Sequence, residues 1–189
     1  MARLLLTALL SIGVASACSP APPAPSVEAV KAPIVNGQLE TGWPAVGALT
    51  IDDPGAGYLG AFCTGTLVAP QWVLTAAHCV VEGIAAQVPV ESIKFYVGTD
   101  ASPGDSGPTD PGALHGIDDV IAHPLFSDTA FDYDIALVHL AAPVTGVAPL
   151  GINVAYMDGA WVGTDVLYVG FGVVDGLTQG GGGVKRSTS

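Results

Sequence analysis

Three kinds of side chain in this sequence could together perform acyl transfer: an imidazole, a carboxylate and a hydroxyl. His78 lies in residues 62–80, FCTGTLVAPQWVLTAAHCV, just after an apolar run and directly before Cys79. A lone histidine is ordinarily a packed residue. A general base differs in needing its ring held within hydrogen-bond reach of a nucleophile. A bridge between Cys63 and Cys79 would pin the backbone at His78, and closing that loop is worth about 3 kcal/mol in the chain-entropy description. Asp134 lies near the head of the stretch 132–140, DYDIALVHL. Strand alternation puts Asp134, Ala136 and Val138 on one face and Ile135, Leu137 and His139 on the other. An aspartate there either sits in solvent or, if buried, needs a partner. An imidazole N–H is the natural one, since it fixes the tautomer of the ring. Ser106, in SPGDSGP at 102–108, offers a hydroxyl.

The elements that must position these groups read as β throughout. Candidate strands are 45–51, 60–68, 71–75, 92–98, 117–123, 133–140 and 164–171, each rich in Val, Ile, Leu and aromatics. Gly, Pro and Asp clusters separate them, a spacing that predicts an antiparallel sandwich or barrel. TAAHCVVEG, after the third candidate strand, is the one helical hint. The loop 99–112, TDASPGDSGPTDPG, is dense in chain breakers and belongs on the surface.

Composition narrows the classes of function. Half of the 189 residues are hydrophobic and 12% are charged, enough apolar material for a core. The formal net charge is −12, and the five basic residues are Arg3, Lys31, Lys94, Lys185 and Arg186. No positive patch can be assembled from them, so nucleic acid and anionic membrane surfaces are not expected partners.

The amino terminus reads as an export signal over 1–17: a short basic start, then an apolar stretch too short to span a bilayer. It ends in ASAC. Ala15-Ser16-Ala17 suits an ordinary signal peptidase, while the same residues with Cys18 resemble a lipobox in which the cysteine is lipidated; Ala15 stands where leucine is usual. Three cysteines leave one over if two pair, and Cys18 lies outside the domain, so lipidation is the expected outcome and free secretion the alternative. Residues 18–33 then form a tether with five prolines, and the domain runs from Ile34 over 34–189.

IVNG at 34–37, WPAVGAL at 43–49, CTGTLVAPQWVLTAAHC at 63–79, DIALVHL at 134–140 and VGFGVVDG at 169–176 occur in the order found in trypsin/chymotrypsin-like serine proteases. The chain resembles that family over almost everything from Ile34 onward, with bacterial secreted or surface members the nearest in kind. The resemblance implies two antiparallel β-barrels with an active site between them. It further implies His78 as general base, Asp134 as the carboxylate that orients it, a Cys63–Cys79 disulfide, and Ile34 as the amino terminus after activation. Pro33 departs from the usual Arg or Lys before that isoleucine; cleavage after Lys31 would leave two residues attached.

The larger departure concerns the nucleophile. The family order is His, Asp, Ser, with the serine beyond the GFG segment, and no serine in a GDSGG setting follows Asp134 here. Ser106 precedes Asp134, and Pro108 follows Gly107 where the family has a second glycine, so Ser106 is taken as a surface-loop decoy. The expected fold is therefore all-β, an antiparallel double β-barrel with its first barrel complete and its second only partly present, from a C-terminally truncated gene product. The expected function is trypsin-like serine endopeptidase, acting on protein or peptide, with the nucleophile absent from this chain. A non-catalytic pseudoprotease or surface binding module of the same fold is the alternative. No cofactor or metal is expected. Asp100, Asp105 and Asp110 could offer oxygens to Ca²⁺, but loops of this composition are ordinarily just solvated. His115 and His139 lack metal-ligand spacing, and His123, in AHPLF, resembles a family loop position without chemistry. The protein is expected to be an exported monomer, either secreted or tethered to the cell envelope through Cys18.

Overall fold

The computed structural model describes residues 37–81, 87–110, 112–175, 177 and 180–189. The export signal, Cys18, the proline-rich tether and Ile34 lie outside the described residues.

Six strands close into a barrel: β2 (Val46–Asp53), β3 (Gly57–Ala69), β4 (Trp72–Thr75), β5 (Ile93–Val97), β6 (Ala113–Ala122) and β7 (Ala136–Leu140), in the order β2-β3-β4-β7-β6-β5. Every neighbouring pair is antiparallel. Closure removes the edges that a sheet rich in Val, Ile and Leu would otherwise expose. Leu49, Ile51, Leu67, Val73, Phe95, Val138 and Leu140 fill the interior. In β7 the alternation is as expected: Ala136, Val138 and Leu140 are buried, and Leu137 and His139 are only partly so. Gly47 and Gly65 face each other across β2 and β3. A Cβ on Gly47 would strike the Phe95 ring, and one on Gly65 would strike Val73. These positions let a large aromatic ring occupy a narrow barrel.

A separate antiparallel sheet joins β1 (Gln38–Leu39), β9 (Arg186–Thr188) and β8 (Tyr168–Gly170), with β9 in the middle. It meets the barrel through a cluster of Ala48, Tyr96, Ala101 and Phe171. The all-β expectation holds, with one closed barrel and, among the described residues, three open strands in place of a second.

Several boundaries differ from expectation. β7 begins at Ala136 rather than 133, because Tyr133 has a left-handed backbone (φ 55) and the Ile135 N–H bonds back to the Tyr133 carbonyl. β6 extends back to Ala113, and β8 shrinks to three residues. β1 and β9 are too short and polar to carry a periodic signal; each is a strand through its pairing. The helical hint resolves into one short helix, α1 (Ala77–Val81).

Candidate active site

His78 sits in the first turn of α1, immediately after β4 leaves the barrel. Two tethers fix that exit. Thr75 Oγ1 donates to the Thr64 carbonyl at 2.9 Å, and Cys79 is joined to Cys63 of β3 by a disulfide with a Cα–Cα separation of 6.1 Å. The pairing that the resemblance implied is therefore present, and it locks helix to strand beside the imidazole.

Asp134 comes from the approach to β7, the strand paired with β4, where Thr75 lies opposite Ala136. It accepts twice from the same residue: the His78 backbone N–H at 2.9 Å to Oδ1, and the His78 ring Nδ1 at 2.7 Å to Oδ2. The Asp134 side chain is 22% exposed and that of His78 40%. Burial pushes the Asp134 carboxyl up, but the donors from the His78 backbone, the His78 ring and the Ala77 backbone together outweigh it. The carboxyl is held below the ordinary aspartate range, ionised at neutral pH. A carboxylate on Nδ1 places the ring proton there and leaves Nε2, 3.4 Å from Cys79 Sγ, as an acceptor at the other edge. Such a ring can take a proton from an incoming hydroxyl.

That edge opens onto a cleft of about 340 Å³ lined by Ala61, Phe62, Cys63, Thr64, His78, Cys79, Phe171, Gly172, Val173 and Gly182. The cleft lies between the barrel and the segment leading into β9, and no serine is among its lining residues. The Phe171 N–H donates to Thr64 Oγ1 at 3.0 Å, which ties the two walls together. Cys63, His78 and Cys79 present donor atoms within 4.8 Å of one another, but the two sulfurs are bonded to each other and offer no thiolate to a metal.

Ser106 lies elsewhere. It lines the concave side of its own hairpin loop with Gly104, Asp105, Gly107, Pro108, Thr109, Asp110 and Gly112, none of which borders the His78 cleft. In that loop, Asp110 accepts from both the backbone and the hydroxyl of Thr99, and Asp100 accepts from the Ser102 N–H. Two of the other histidines also have partners. His123 stacks on Tyr133 with centroids 4.8 Å apart, and His139 bonds Asp118 through Nδ1 at 2.6 Å. The sequence carries no sign of this second imidazole–carboxylate pair. Asp118 and His139 meet because β6 and β7 are neighbours, and no spacing along the chain encodes that.

Fold and site together define an antiparallel β-barrel protein whose mouth carries a hydrogen-bonded imidazole–carboxylate pair. The family model described as Trypsin matches residues 34–182. A trypsin of Simulium vittatum is 31% identical over 114 residues, covering 60% of this chain and 40% of that protein. A trypsin of Phaedon cochleariae is 40% identical over 83 residues, covering 44% and 29%. A tryptase of Mus musculus is 34% identical over 140 residues, covering 72% and 45%. The chain belongs to the trypsin family, and it spans less than half the length of these relatives.

Proposed function

We propose that the protein is a trypsin-like serine endopeptidase in which His78 is the general base and Asp134 the carboxylate that orients it, with the nucleophilic serine absent from these 189 residues. The observation that carries this reading is the doubly bonded His78–Asp134 pair opening onto a cleft between barrel and second sheet. In the proposed reaction His78 Nε2 takes the proton of a serine hydroxyl as its oxygen attacks a peptide carbonyl. The imidazolium, stabilised by Asp134, then returns the proton to the leaving amine, and water releases the acyl group by the same route.

The 189-residue chain is proposed to be inactive alone, because no serine lines the cleft at His78. The same observation favours, as a second reading, a pseudoprotease that binds through its surface. Ile34 is the proposed amino terminus after activation, and Pro33 then calls for a cleavage other than the one after Lys31. Export through residues 1–17 and tethering through Cys18 complete the proposal, with free secretion as its alternative.

The experiment is covalent labelling by a fluorophosphonate, together with peptide hydrolysis. It compares the 189-residue chain with any longer product of the same reading frame that carries a downstream serine. The chain alone should not label. The longer product should label and hydrolyse, and His78→Ala should abolish both. Labelling of the short chain at Ser106 would overturn the assignment, and a frame that ends at Ser189 would favour the pseudoprotease.

A further inference from the structure

We infer that the stacked rings of His123 and Tyr133 are positioning residues that hold the Asp134 carboxylate on His78. The inference rests on reading His78 and Asp134 as base and orienting carboxylate. Asp134 is not on a regular strand. It is the central residue of a three-residue turn closed by the Ile135 N–H on the Tyr133 carbonyl at 2.7 Å. That turn is entered through two residues with left-handed backbone, Phe131 (φ 54) and Tyr133 (φ 55). Bulky side chains rarely adopt this conformation, and it persists only where the surroundings impose it.

The surroundings here are specific. The Tyr133 ring lies on the His123 imidazole with an interplanar angle of 7° and centroids 4.8 Å apart. His123 is held in turn from its own side. Its backbone N–H donates to the Ile135 carbonyl at 2.9 Å, and its Nδ1 accepts from the Leu125 N–H at 3.2 Å, which fixes the ring plane. His123 therefore grips both flanks of Asp134: Ile135 through the backbone and Tyr133 through the stack. From the other direction the Phe131 ring meets the His78 ring edge-on at 5.8 Å. Tyr133 is largely exposed, so burial of its ring does not hold the turn. The stack is the contact that selects its backbone conformation.

The test uses the full chain and the low-field proton resonance of His78 Nδ1–H, assigned by its loss in Asp134→Asn. Three variants separate ring from backbone. His123→Ala removes the stack and leaves Tyr133 without the contact that selects its left-handed backbone. Tyr133→Gly removes the stack and permits that backbone without imposing it. Tyr133→Phe keeps the stack without the hydroxyl. The resonance should be lost in the first two, with the circular dichroism of the barrel unchanged, and kept in Tyr133→Phe. Its retention in His123→Ala or in Tyr133→Gly, or its loss in Tyr133→Phe, would overturn the inference. Failure of a longer, serine-bearing product to hydrolyse peptides would sink the protease reading and leave this result standing.

Discussion

His139 and Asp118 repeat, on the outer face of the barrel, the contact that His78 and Asp134 make at its mouth: Nδ1 to carboxylate oxygen, 2.6 Å against 2.7 Å. The two pairs differ in their surroundings. Asp118 is half exposed and, among the described residues, bonds only the ring, with Trp72 meeting the imidazole edge at 4.6 Å. Asp134 is mostly covered, also holds the His78 backbone N–H, and its imidazole partner lines a cleft. A short contact alone does not make a site.

Exposed pairs of this kind contribute little because water competes for both groups. Asp118→Asn should therefore cost less than about 1 kcal/mol of unfolding free energy in a urea titration. It should leave the His78 Nδ1–H resonance in place. A loss of several kcal/mol would show that the outer pair is structural.

The Asp134 carboxyl titrates below its ordinary range in the folded chain. A depressed carboxyl stabilises the fold above its unfolded value, and that stabilisation is lost as pH falls through the folded value. Asp110, lowered chiefly by the Thr99 N–H and hydroxyl, acts with the same sign. Thermal midpoints should thus be level near neutrality and drop below about pH 4. Asp134→Asn should flatten part of that drop, and an unchanged acid limb in this variant would contradict the assignment.

Lys185 is 2% exposed, with its ammonium 5.5 Å from the Phe171 ring centroid and 3.4 Å from the Trp43 carbonyl. Burial lowers its pKa, against a smaller opposing pull from Glu40 and Asp110. The folded state therefore resists the charge at neutral pH, and that penalty is relieved as pH rises through the lowered value. Lys185→Met should stabilise by about 1–2 kcal/mol at pH 7, since an apolar chain of similar length removes a poorly compensated buried charge. The gain should shrink toward alkaline pH. A destabilised variant at pH 7 would mean that the carbonyl and ring contacts outweigh the desolvation.

The Cys63–Cys79 bridge closes a sequence separation of 16. Replacing both cysteines by alanine should cost about 3 kcal/mol, measured by urea denaturation, chiefly by freeing the unfolded chain. Reductant should lower the midpoint of the parent and leave the double variant unchanged. Equal sensitivity in both would point to some other effect of the reductant.

Cys18 is the proposed lipid attachment point. Labelled palmitate should enter the exported protein and be lost in Cys18→Ala, with the variant released to the medium. Label that persists in Cys18→Ala would place any acyl group elsewhere.

Much of the site could be read along the chain because it is written in short contiguous segments. His78 and Cys79 are adjacent, and Asp134 heads an alternating stretch whose buried face is Ala136, Val138 and Leu140. β4 shows the same period-two burial, whereas β2 is buried at every residue over 46–51. Other features exist only through pairing. β1 and β9 are strands because Leu39 meets Arg186. The late start of β7 follows from Tyr133 being held left-handed beside His123. Lys185 is buried because Phe171 and Trp43 close over it.

The sequence by itself determined which groups could act: an imidazole next to a cysteine, a carboxylate before an apolar strand, and a serine in a loop of glycine and proline. Tertiary structure decided which of them meet. Closing the barrel brings Asp134 onto His78 across 56 residues and leaves Ser106 on a loop that shares no lining residue with their cleft. Side-chain chemistry is local to a residue, but proximity is set by strand order, which the chain reveals only after folding.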